Sequence, residues 1–262
     1  MQKNILITGC SSGIGAAAAR DLLDRGYRVI AACRKPDDVR RMEQLGYCGI
    51  LLDLDDAESV SNAAREVIEH CEGRLHGLFN NAGFGVYGDL SALSRQQMEK
   101  QFSANFFAVH QLTMALLPAL KAAGHARIIN TSSVMGLIST PGRGAYAASK
   151  YALEAWSDAL RMELKPAGIH VSLIEPGPIS TGFSDNVVQG VADQPVTNPG
   201  IAARFTLPPE AVLPKLRHAL ESRFPRQRYP VTVVAHVMSI ARRLLPGILL
   251  DRILSNHSAR EK

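Results

Sequence analysis

Apolar and polar positions alternate along the chain in two different rhythms. Short, almost wholly apolar runs such as NILITG, YRVIAAC, YCGILLDL and LHGLFNN are separated by longer segments with helical spacing, namely GAAAARDLLDRG, PDDVRRMEQLG and DAESVSNAAREVIEHC. Strands without a polar face are typical of a parallel sheet covered by helices on both sides. Helices from about Arg95 to Ala122 and from about Tyr146 to Leu164 continue the pattern. Since no linker interrupts it, residues 1–262 are predicted to form one doubly wound α/β domain.

The regular pattern ends in the last third of the chain. Residues 182–208 are rich in turn-forming residues without a sustained period, so we expect a lid over a cleft. Residues 231–254 predict an apolar helical extension, which Arg242, Arg243 and Pro246 interrupt too early for a membrane span. We expect the extension to pack over the cleft or between subunits, and peripheral membrane contact is the alternative.

The composition argues against several classes of function. The formal net charge is +5, but the basic residues are scattered, aromatic residues make up 6%, and no helix-turn-helix or zinc-finger spacing occurs, so we expect no nucleic acid partner. The eight histidines have no ligand spacing, and we predict no metal site. The four cysteines form no C-x-x-C pair and the amino terminus does not resemble a signal peptide. We therefore expect reduced thiols and a cytoplasmic protein.

A glycine-rich segment, TGCSSGIG, directly follows the first predicted strand and precedes the first predicted helix. Its glycines allow a sharp turn and a close approach of a pyrophosphate, whose charge the helix N-terminus attracts. The context predicts a dinucleotide site rather than a glycine-rich turn without a ligand. The residues that we expect to line it are Gly9, Ser11, Ser12, Gly13, Ile14 and Gly15.

The end of the second predicted strand indicates which dinucleotide binds. A carboxylate there would bind the ribose 2′-hydroxyl, but the sequence has Cys33, followed by Arg34 and Lys35. A guanidinium can bind a 2′-phosphate with two hydrogen bonds and stack on adenine, and Ser11 and Ser12 could add hydroxyl contacts. We predict NADP(H) rather than NAD(H). The alternative is that Arg34 and Lys35 are only solvent-exposed charges at the end of a strand.

The ends of two further strands are expected to line the same dinucleotide site. In LLDLDD, Asp53 and Leu54 follow the third strand and are placed to meet the adenine ring. The alternative for Asp53 is an N-cap for a helix that starts near Asp55. In NNAG, after the fourth strand, the predicted cofactor contacts are Asn81, Ala82 and Gly83.

Tyr146 and Lys150 lie four positions apart on a predicted helix, so their side chains share one face. A phenol with a pKa of about 10 is a poor acid or base at neutral pH. An ammonium ~4 Å away contributes about 4 kcal/mol at an effective dielectric constant of about 20, which lowers the pKa by about 3. Ser133, at the end of the preceding strand, could share a substrate oxygen with the phenol. Asn105 is a polar residue in an apolar helix and could hold a water that leads to Lys150. The alternative is a structural one, a hydrogen bond between helices with no catalytic part.

Taken together, TGCSSGIG, NNAG, Asn105, Ser133, YAASK and EPGPIST resemble the short-chain dehydrogenase/reductase family from about residue 3 to residue 182. The resemblance implies a single Rossmann-type domain with three αβα layers. It also implies an Asn-Ser-Tyr-Lys tetrad, in which Tyr146 is the general acid or base, Ser133 steadies the substrate oxygen, Lys150 holds the nicotinamide ribose and Asn105 anchors a relay water. The residues that it places beside the nicotinamide are Pro176, Gly177, Ile179 and Thr181.

The second half of the chain contains TSSVMGLISTPGRGAYAASKYALEAWSDALRMEL and RYPVTVVAHVMSIARRLLPGILLDRIL. These two segments are also similar to bacterial NADP-dependent aldehyde reductases related to 17β-hydroxysteroid and retinol dehydrogenases. This likeness implies an NADP(H)-dependent oxidoreductase that transfers hydride between the nicotinamide and a carbonyl or alcohol, with an aldehyde or ketone reductase for apolar substrates as the expectation. The alternative is an NADP-binding redox sensor or interaction protein without turnover. Apolar residues on more than one face of the two long helices, Phe106 and Phe107 among them, predict a homodimer.

Overall fold

The structure is a computed structural model that describes residues 2–183, 187–189 and 205–259. Seven parallel strands form its central sheet in the order β3-β2-β1-β4-β6-β7-β9. These strands are β1 (Asn4–Thr8), β2 (Arg28–Cys33), β3 (Cys48–Leu51), β4 (Gly77–Asn80), β6 (Arg127–Thr131), β7 (His170–Glu175) and β9 (Arg228–Pro230). A separate short pair joins β5 (Val86–Tyr87) to β8 (Val188–Gln189).

Helices cover both faces of the sheet. Residues of α1, α2 and α7 build the core on one face, and residues of α3, α5 and α6 build it on the other. The helices are α1 (Gly13–Asp24), α2 (Pro36–Gln44), α3 (Ala57–His70), α4 (Arg95–Phe102), α5 (Ala108–Ala122), α6 (Gly144–Leu164), α7 (Leu213–Glu221), α8 (Val233–Leu244) and α9 (Gly247–Ala259). The predicted three-layer doubly wound α/β fold is confirmed.

The first strand explains why the apolar runs have no polar face. Side chains alternate between the two faces of a strand. Ile5 and Ile7 therefore join the core under α1, while Leu6 joins the core under α3. Because both faces of the strand are buried in an apolar core, each of its positions has to be apolar.

The strand order reverses direction between β1 and β4. The chain builds β1, β2 and β3 outward to one side, then crosses over and builds the other strands on the far side of β1. In an open parallel sheet, such a reversal leaves a crevice beyond the carboxyl ends of the two central strands. The glycine-rich segment follows β1, and NNAG spans the end of β4, so both lie at this crevice.

The long helix predicted from Arg95 to Ala122 is interrupted. Its two α-helical parts, α4 and α5, are separated by a π-helical turn at Ser103–Phe107. Ser94 caps α4 in a reciprocal capping box with Gln97. A π turn inserts one extra residue and rotates the following helix, and it often occurs at functional sites. Here the turn contains Asn105.

The predicted lid, residues 182–208, falls mostly outside the described residues. The predicted extension, residues 231–254, corresponds to α8 and most of α9. Its inner face, including Ala235, Leu250 and Leu254, packs in one apolar cluster with Tyr146. Its outer face keeps large apolar side chains exposed, and these are Val233, Val237, Ile240, Leu244, Ile248, Leu249 and Ile253. Among the described helices, none is long and apolar enough to cross a bilayer.

Candidate active site

The glycine-rich segment forms a tight cradle between β1 and α1. Gly9 and Gly13 have positive φ angles of 75° and 58°, which side chains rarely adopt. A Cβ on Gly15 would lie 2.1 Å from the carbonyl oxygen of Gly9, so the two glycines approach too closely for any other residue. Ser12 begins α1 without a side-chain capping bond, and the first turn carries no acidic residue. The amides of this turn are therefore available to an anion.

Polar contacts join the glycine cradle to the NNAG segment. The Thr8 hydroxyl accepts hydrogen bonds from the backbone amides of Asn81 and Ala82, both at 2.9 Å. The Asn81 side chain donates to the Thr8 carbonyl and accepts from the Thr131 hydroxyl. The ends of β1, β4 and β6 are thereby held together. Gly83 lies beyond them, where a Cβ would come within 3.8 Å of Lys150 Nζ.

Basic side chains flank the outer end of the cradle. Arg34 and Lys35 follow β2 directly and are exposed. Arg41, on α2, donates a 2.9 Å hydrogen bond to the Ser11 carbonyl and pairs with Asp38. Arg41 was missed by the sequence analysis because no motif relates its position on α2 to Ser11. It adds a second guanidinium beside the segment where a 2′-phosphate was predicted.

The residues that follow β3 differ in part from the prediction made from the sequence. Asp53 does not cap a helix, because α3 begins at Ala57 and is capped by Asp56, whose carboxylate accepts from the Glu58 amide. Asp53 instead accepts from the Asp55 amide and forms a turn. The N-cap alternative for Asp53 was therefore wrong. Leu54 is half-buried against the core on the α3 side.

Tyr146 and Lys150 lie on the first two turns of α6 and are both buried. The Lys150 ammonium is 5.8 Å from the centre of the Tyr146 ring. It donates a 2.8 Å hydrogen bond to the carbonyl oxygen of Thr131, the last residue of β6. Small residues between them, Ala147 and Ser149, allow α6 to pack closely enough for this contact. The predicted pair therefore faces the sheet, not the solvent.

The pKa of Tyr146 differs from the sequence expectation. Burial raises it above its usual value, as does Tyr87, whereas the Ser133 hydroxyl and Arg143 lower it. Burial also lowers the pKa of Lys150 to about 8, and Glu154 opposes that decrease. Within the protein chain, desolvation of the phenol thus outweighs any field from the ammonium. A proton is therefore held firmly on Tyr146 at neutral pH.

Ser133 and the segment after β7 form the neighbouring wall. Ser133 Oγ accepts from the Met135 amide at 3.1 Å and contacts the Pro176 carbonyl at 3.5 Å. A Cβ on Gly177 would lie 2.1 Å from Thr232 Oγ1, so this position also requires glycine. Thr181 lies against Gly13, where a Cβ would be 3.0 Å from its side chain. Ile179 is half-buried beside the core on the α1 side.

Asn105 joins the π turn to the loop after β4. Its side-chain nitrogen donates to the Phe84 carbonyl and to the Ser149 hydroxyl, and its oxygen accepts from the Phe84 amide. The side chain is buried with its polar atoms paired, which corresponds to the structural alternative for a polar residue in a helix. The same contacts bring Asn105 next to Gly83 and to Ser149 on α6, the residue before Lys150.

An apolar wall surrounds the phenol. Tyr87 and Phe183 place their rings 6.1 and 5.6 Å from that of Tyr146. The remaining members of the cluster come from the turn after β6 and from the C-terminal helices. Tyr87 and Phe183 were not predicted as site residues, because they are distant in sequence from Tyr146 and belong to no motif. The larger side chains among those other members include Val134, Met135, Ile138, Met238, Leu250 and Leu254.

The site residues fit a bound dinucleotide. The cradle has room only for backbone, α1 offers uncapped amides for a pyrophosphate, and Arg34 and Arg41 supply positive charge near the far end. Lys150 and the phenol lie at the opposite end, beyond the Asn81 contacts. We find no group of His, Cys, Asp and Glu suited to a metal ion among the described residues.

Comparison with known proteins gives a consistent picture. The family model "short chain dehydrogenase" matches residues 3–192. The chain is 65% identical to "Uncharacterized oxidoreductase YbbO" of Escherichia coli strain K12, covering 97% of this chain and 94% of that protein. It is 34% identical to human "Retinol dehydrogenase 5", covering 96% and 87%.

A solved structure extends the likeness to three dimensions. A short chain dehydrogenase from Burkholderia cenocepacia in complex with NADP superimposes with a TM-score of 0.80 at 25% identity, covering 97% of this chain and all of that one. The family model spans well over half of the sequence, and the strand order and crevice described above are consistent with it. This chain therefore belongs to the short chain dehydrogenase family.

Proposed function

We propose that the protein is an NADP(H)-dependent reductase of aldehydes or ketones with apolar substituents. The observation that carries the proposal is the buried Tyr146 phenol, next to Lys150 and Ser133, at the same sheet edge as the glycine cradle. A bound NADPH would supply the hydride. The chain would bind and orient both reactants and provide the proton.

Tyr146 is proposed as the general acid. Because burial raises its pKa, the phenol keeps its proton until a carbonyl oxygen beside it gains negative charge. Ser133 would donate to the same oxygen and fix its position. In the opposite direction, an alcohol would return its proton to the phenolate, which Lys150 would stabilise. Asn105 would hold the loop after β4 and the π turn in fixed positions beside these groups.

The preference for NADP(H) is proposed from the charge near the outer end of the cradle. Arg34→Ala and Arg41→Ala are each expected to raise the KM for NADPH by about 10-fold or more, since each removes a charged hydrogen-bond donor to phosphate. The KM for NADH should change little. Steady-state kinetics with both cofactors measure the difference.

Arg40→Ala is the matched control, since Arg40 lies beside Arg41 on α2 and pairs only with Asp37 among the described residues. It should leave both KM values unchanged. Equal increases for NADPH and NADH in the Arg34 and Arg41 variants would contradict the assignment.

The apolar wall supports the substrate class. Rings and aliphatic side chains cover the phenol, which suits an apolar substituent on the substrate. The two relatives are named as an oxidoreductase and a retinol dehydrogenase, which is in keeping with this class. A panel of aliphatic aldehydes, retinal and ketosteroids, followed at the NADPH absorbance, tests the proposal. Oxidation of NADPH by none of them would favour the redox-sensor alternative.

A homodimer through the π turn and the adjoining helices is proposed as the working assembly. Phe107 is 57% exposed and contacts Phe102 and Phe106, so a patch of aromatic rings faces outward. Phe107→Glu should halve the molar mass measured by light scattering, because a buried unpaired carboxylate is costly. Leu45→Glu, at an equally exposed apolar residue after α2, should leave the mass unchanged. An unchanged mass for both would contradict this interface.

A cytoplasmic location is also proposed. All four cysteines are free thiols, three of them buried. Reduced thiols are in keeping with a reducing compartment.

A further inference from the structure

A cluster of charged side chains lies beneath the site and has no part in the proposed chemistry. Its centre is Arg228 on β9, whose Nε is 3.0 Å from Glu154 Oε2 and 3.3 Å from Glu175 Oε1. Its Nη2 is 2.6 Å from Asp158 Oδ2. We call these four residues the Arg228 cluster. It joins α6, β7 and β9.

The charges within the Arg228 cluster do not balance. One guanidinium faces three carboxyl groups, and Glu154 and Glu175 are only 6% and 1% exposed. Buried carboxylates in excess of cations have to take up protons or find another positive charge. Burial, followed by the field of Glu154, raises the pKa of Glu175 to about 8, so this carboxyl is neutral at pH 7. Asp158 is also paired with Arg161 on α6, so Glu154 is the charged carboxylate left to Arg228.

Lys150 lies one helical turn before Glu154 on α6. Tyr146, Lys150 and Glu154 follow each other at intervals of four residues on α6, so they share one buried face of the helix. Among the described residues, Lys150 has no carboxylate within ion-pair distance, and its one hydrogen bond goes to the Thr131 carbonyl. Glu154, one helical turn away, is the carboxylate whose charge acts on the ammonium.

Glu154 also borders the strand that carries Ser133. Burial raises the pKa of Glu154, whereas the Ser132 hydroxyl, near Glu154 Oε1, lowers it. Both atoms lie close to Gly136, where a Cβ would be 2.6 Å from Ser132 Oγ and 3.4 Å from Glu154 Oε1. Glu154 therefore directs one oxygen toward Arg228 and the other toward the turn after β6, between the two sides of the site.

We propose that Glu154 is a positioning residue that acts through Lys150: its carboxylate supplies the negative charge that balances the buried ammonium, and Arg228 holds that carboxylate in place. The function of Lys150 in this statement rests on the proposed function, but the charge coupling does not. Against the effect of burial, Arg228 lowers the pKa of Glu154, and Glu154 raises the pKa of Lys150. The ribose-binding ammonium is thereby tied to the edge of the sheet.

The charged and titratable groups around this pair come from several elements. Burial and Glu154 act on Lys150 in opposite directions, and Arg228 opposes the effect of burial on Glu154. Tyr87 and Arg143 act on Tyr146 at the other end of the helix face. The remaining groups act on the Arg228 cluster from its outer side, and these are Arg161 on α6 and Arg243 on α8.

Glu154→Gln keeps the shape of the side chain and removes its charge. Because burial alone then acts on Lys150, the pKa of its ammonium should fall from about 8 by about one unit or more. The ammonium would lose its proton as the pH rises through the lower value. A pKa decrease of one unit predicts NADPH binding about five-fold weaker than in the wild type at pH 8 and nearly equal at pH 6. A purely structural role would weaken binding by the same factor at both pH values.

Asp158→Asn is the matched control. It removes another carboxylate of the same guanidinium on the same helix, but two turns from Lys150. Both variants cost Arg228 an ion pair, so a general effect of breaking the cluster should appear equally in both. The control should leave the pKa of Lys150 and the pH dependence of NADPH binding unchanged.

Two measurements test the proposal without using activity. The pKa of Lys150 can be followed by nuclear magnetic resonance of protein labelled with carbon-13 in its lysine side chains, without added NADPH, with Lys150→Arg to assign the signal. NADPH fluorescence titrations from pH 6 to pH 9 give the binding profile. If Glu154→Gln fails to fold, Glu154→Asp keeps the charge and should hold the pKa near that of the wild type.

An unchanged pKa of Lys150 in Glu154→Gln, or an equal decrease in Asp158→Asn, would overturn the proposal. If the pKa falls but NADPH binding keeps its pH profile, the charge coupling stands and the proposed contact of Lys150 with the cofactor is wrong. The two failures can therefore be told apart.

Discussion

Tyr146→Phe is expected to lower the rate of carbonyl reduction by about 10²- to 10⁴-fold, the range for loss of a general acid. The phenol is 7% exposed, and burial holds its proton in place, so no solvent group can substitute for it easily. The ring itself packs between Tyr87 and Phe183 and remains in the variant. The fold and the site for the dinucleotide should therefore persist.

The measurement is kcat with a reactive aldehyde, together with the Kd for NADPH from fluorescence titration. The Kd should stay within about two-fold, which is under 0.5 kcal/mol. Tyr151→Phe is the matched control, because its hydroxyl lies on the same helix and bonds to the Leu137 carbonyl outside the site. Turnover of Tyr146→Phe at the wild-type rate would refute the role of the phenol.

Gly15→Ala is expected to abolish tight binding of NADPH. The added Cβ would lie 2.1 Å from the Gly9 carbonyl oxygen and 2.8 Å from the Asn81 side-chain nitrogen. Neither neighbour can yield freely, because Gly9 is backbone and Asn81 is fixed by the Thr8 carbonyl and the Thr131 hydroxyl. The cradle has to open by about 1 Å, so its backbone amides move away from the position of the pyrophosphate.

Fluorescence titration of NADPH measures this loss, and circular dichroism checks that the variant folds. Gly26→Ala serves as the control at the opposite end of α1. It makes the same substitution at a positive φ of 82°, but no atom lies within 4 Å of its added Cβ. It should cost about 1 kcal/mol of stability and leave the Kd unchanged. Binding of NADPH by Gly15→Ala at wild-type strength would show that the cradle does not hold the pyrophosphate.

Local sequence signals located most of the candidate site. The glycine cradle, Tyr146 and Lys150 could be predicted because each depends on contacts between residues close in sequence. The cradle consists of a strand, a turn and the first turn of a helix, and Tyr146 and Lys150 lie four residues apart on one helix. Asn81 and Ser133 follow from the rule that parallel strands end at the same edge. These rules need no knowledge of the neighbouring elements.

The pKa of the Tyr146 phenol was harder to predict. The sequence shows that Tyr146 and Lys150 share a helix face, but the pKa of the phenol depends on how much water the surrounding elements remove. Tyr87 lies 59 positions before Tyr146 and Phe183 lies 37 positions after it, yet their rings flank the phenol. The expected decrease of the pKa in the chain alone was wrong because this desolvation could not be read from residues 146 to 150.

By itself, the sequence determined the order of strands and helices, the apolar character that forces the sheet to be covered on both faces, and the residues of the cradle and of the Tyr146 helix. These features depend on periodicity and on backbone sterics, which act over a few residues. Only the tertiary structure decided that Arg41 reaches Ser11, that the C-terminal helices pack beside the phenol, and that Arg228 joins Glu154 to Glu175. Such contacts arise when distant segments are packed together, and the energies of burial and charge follow from that packing.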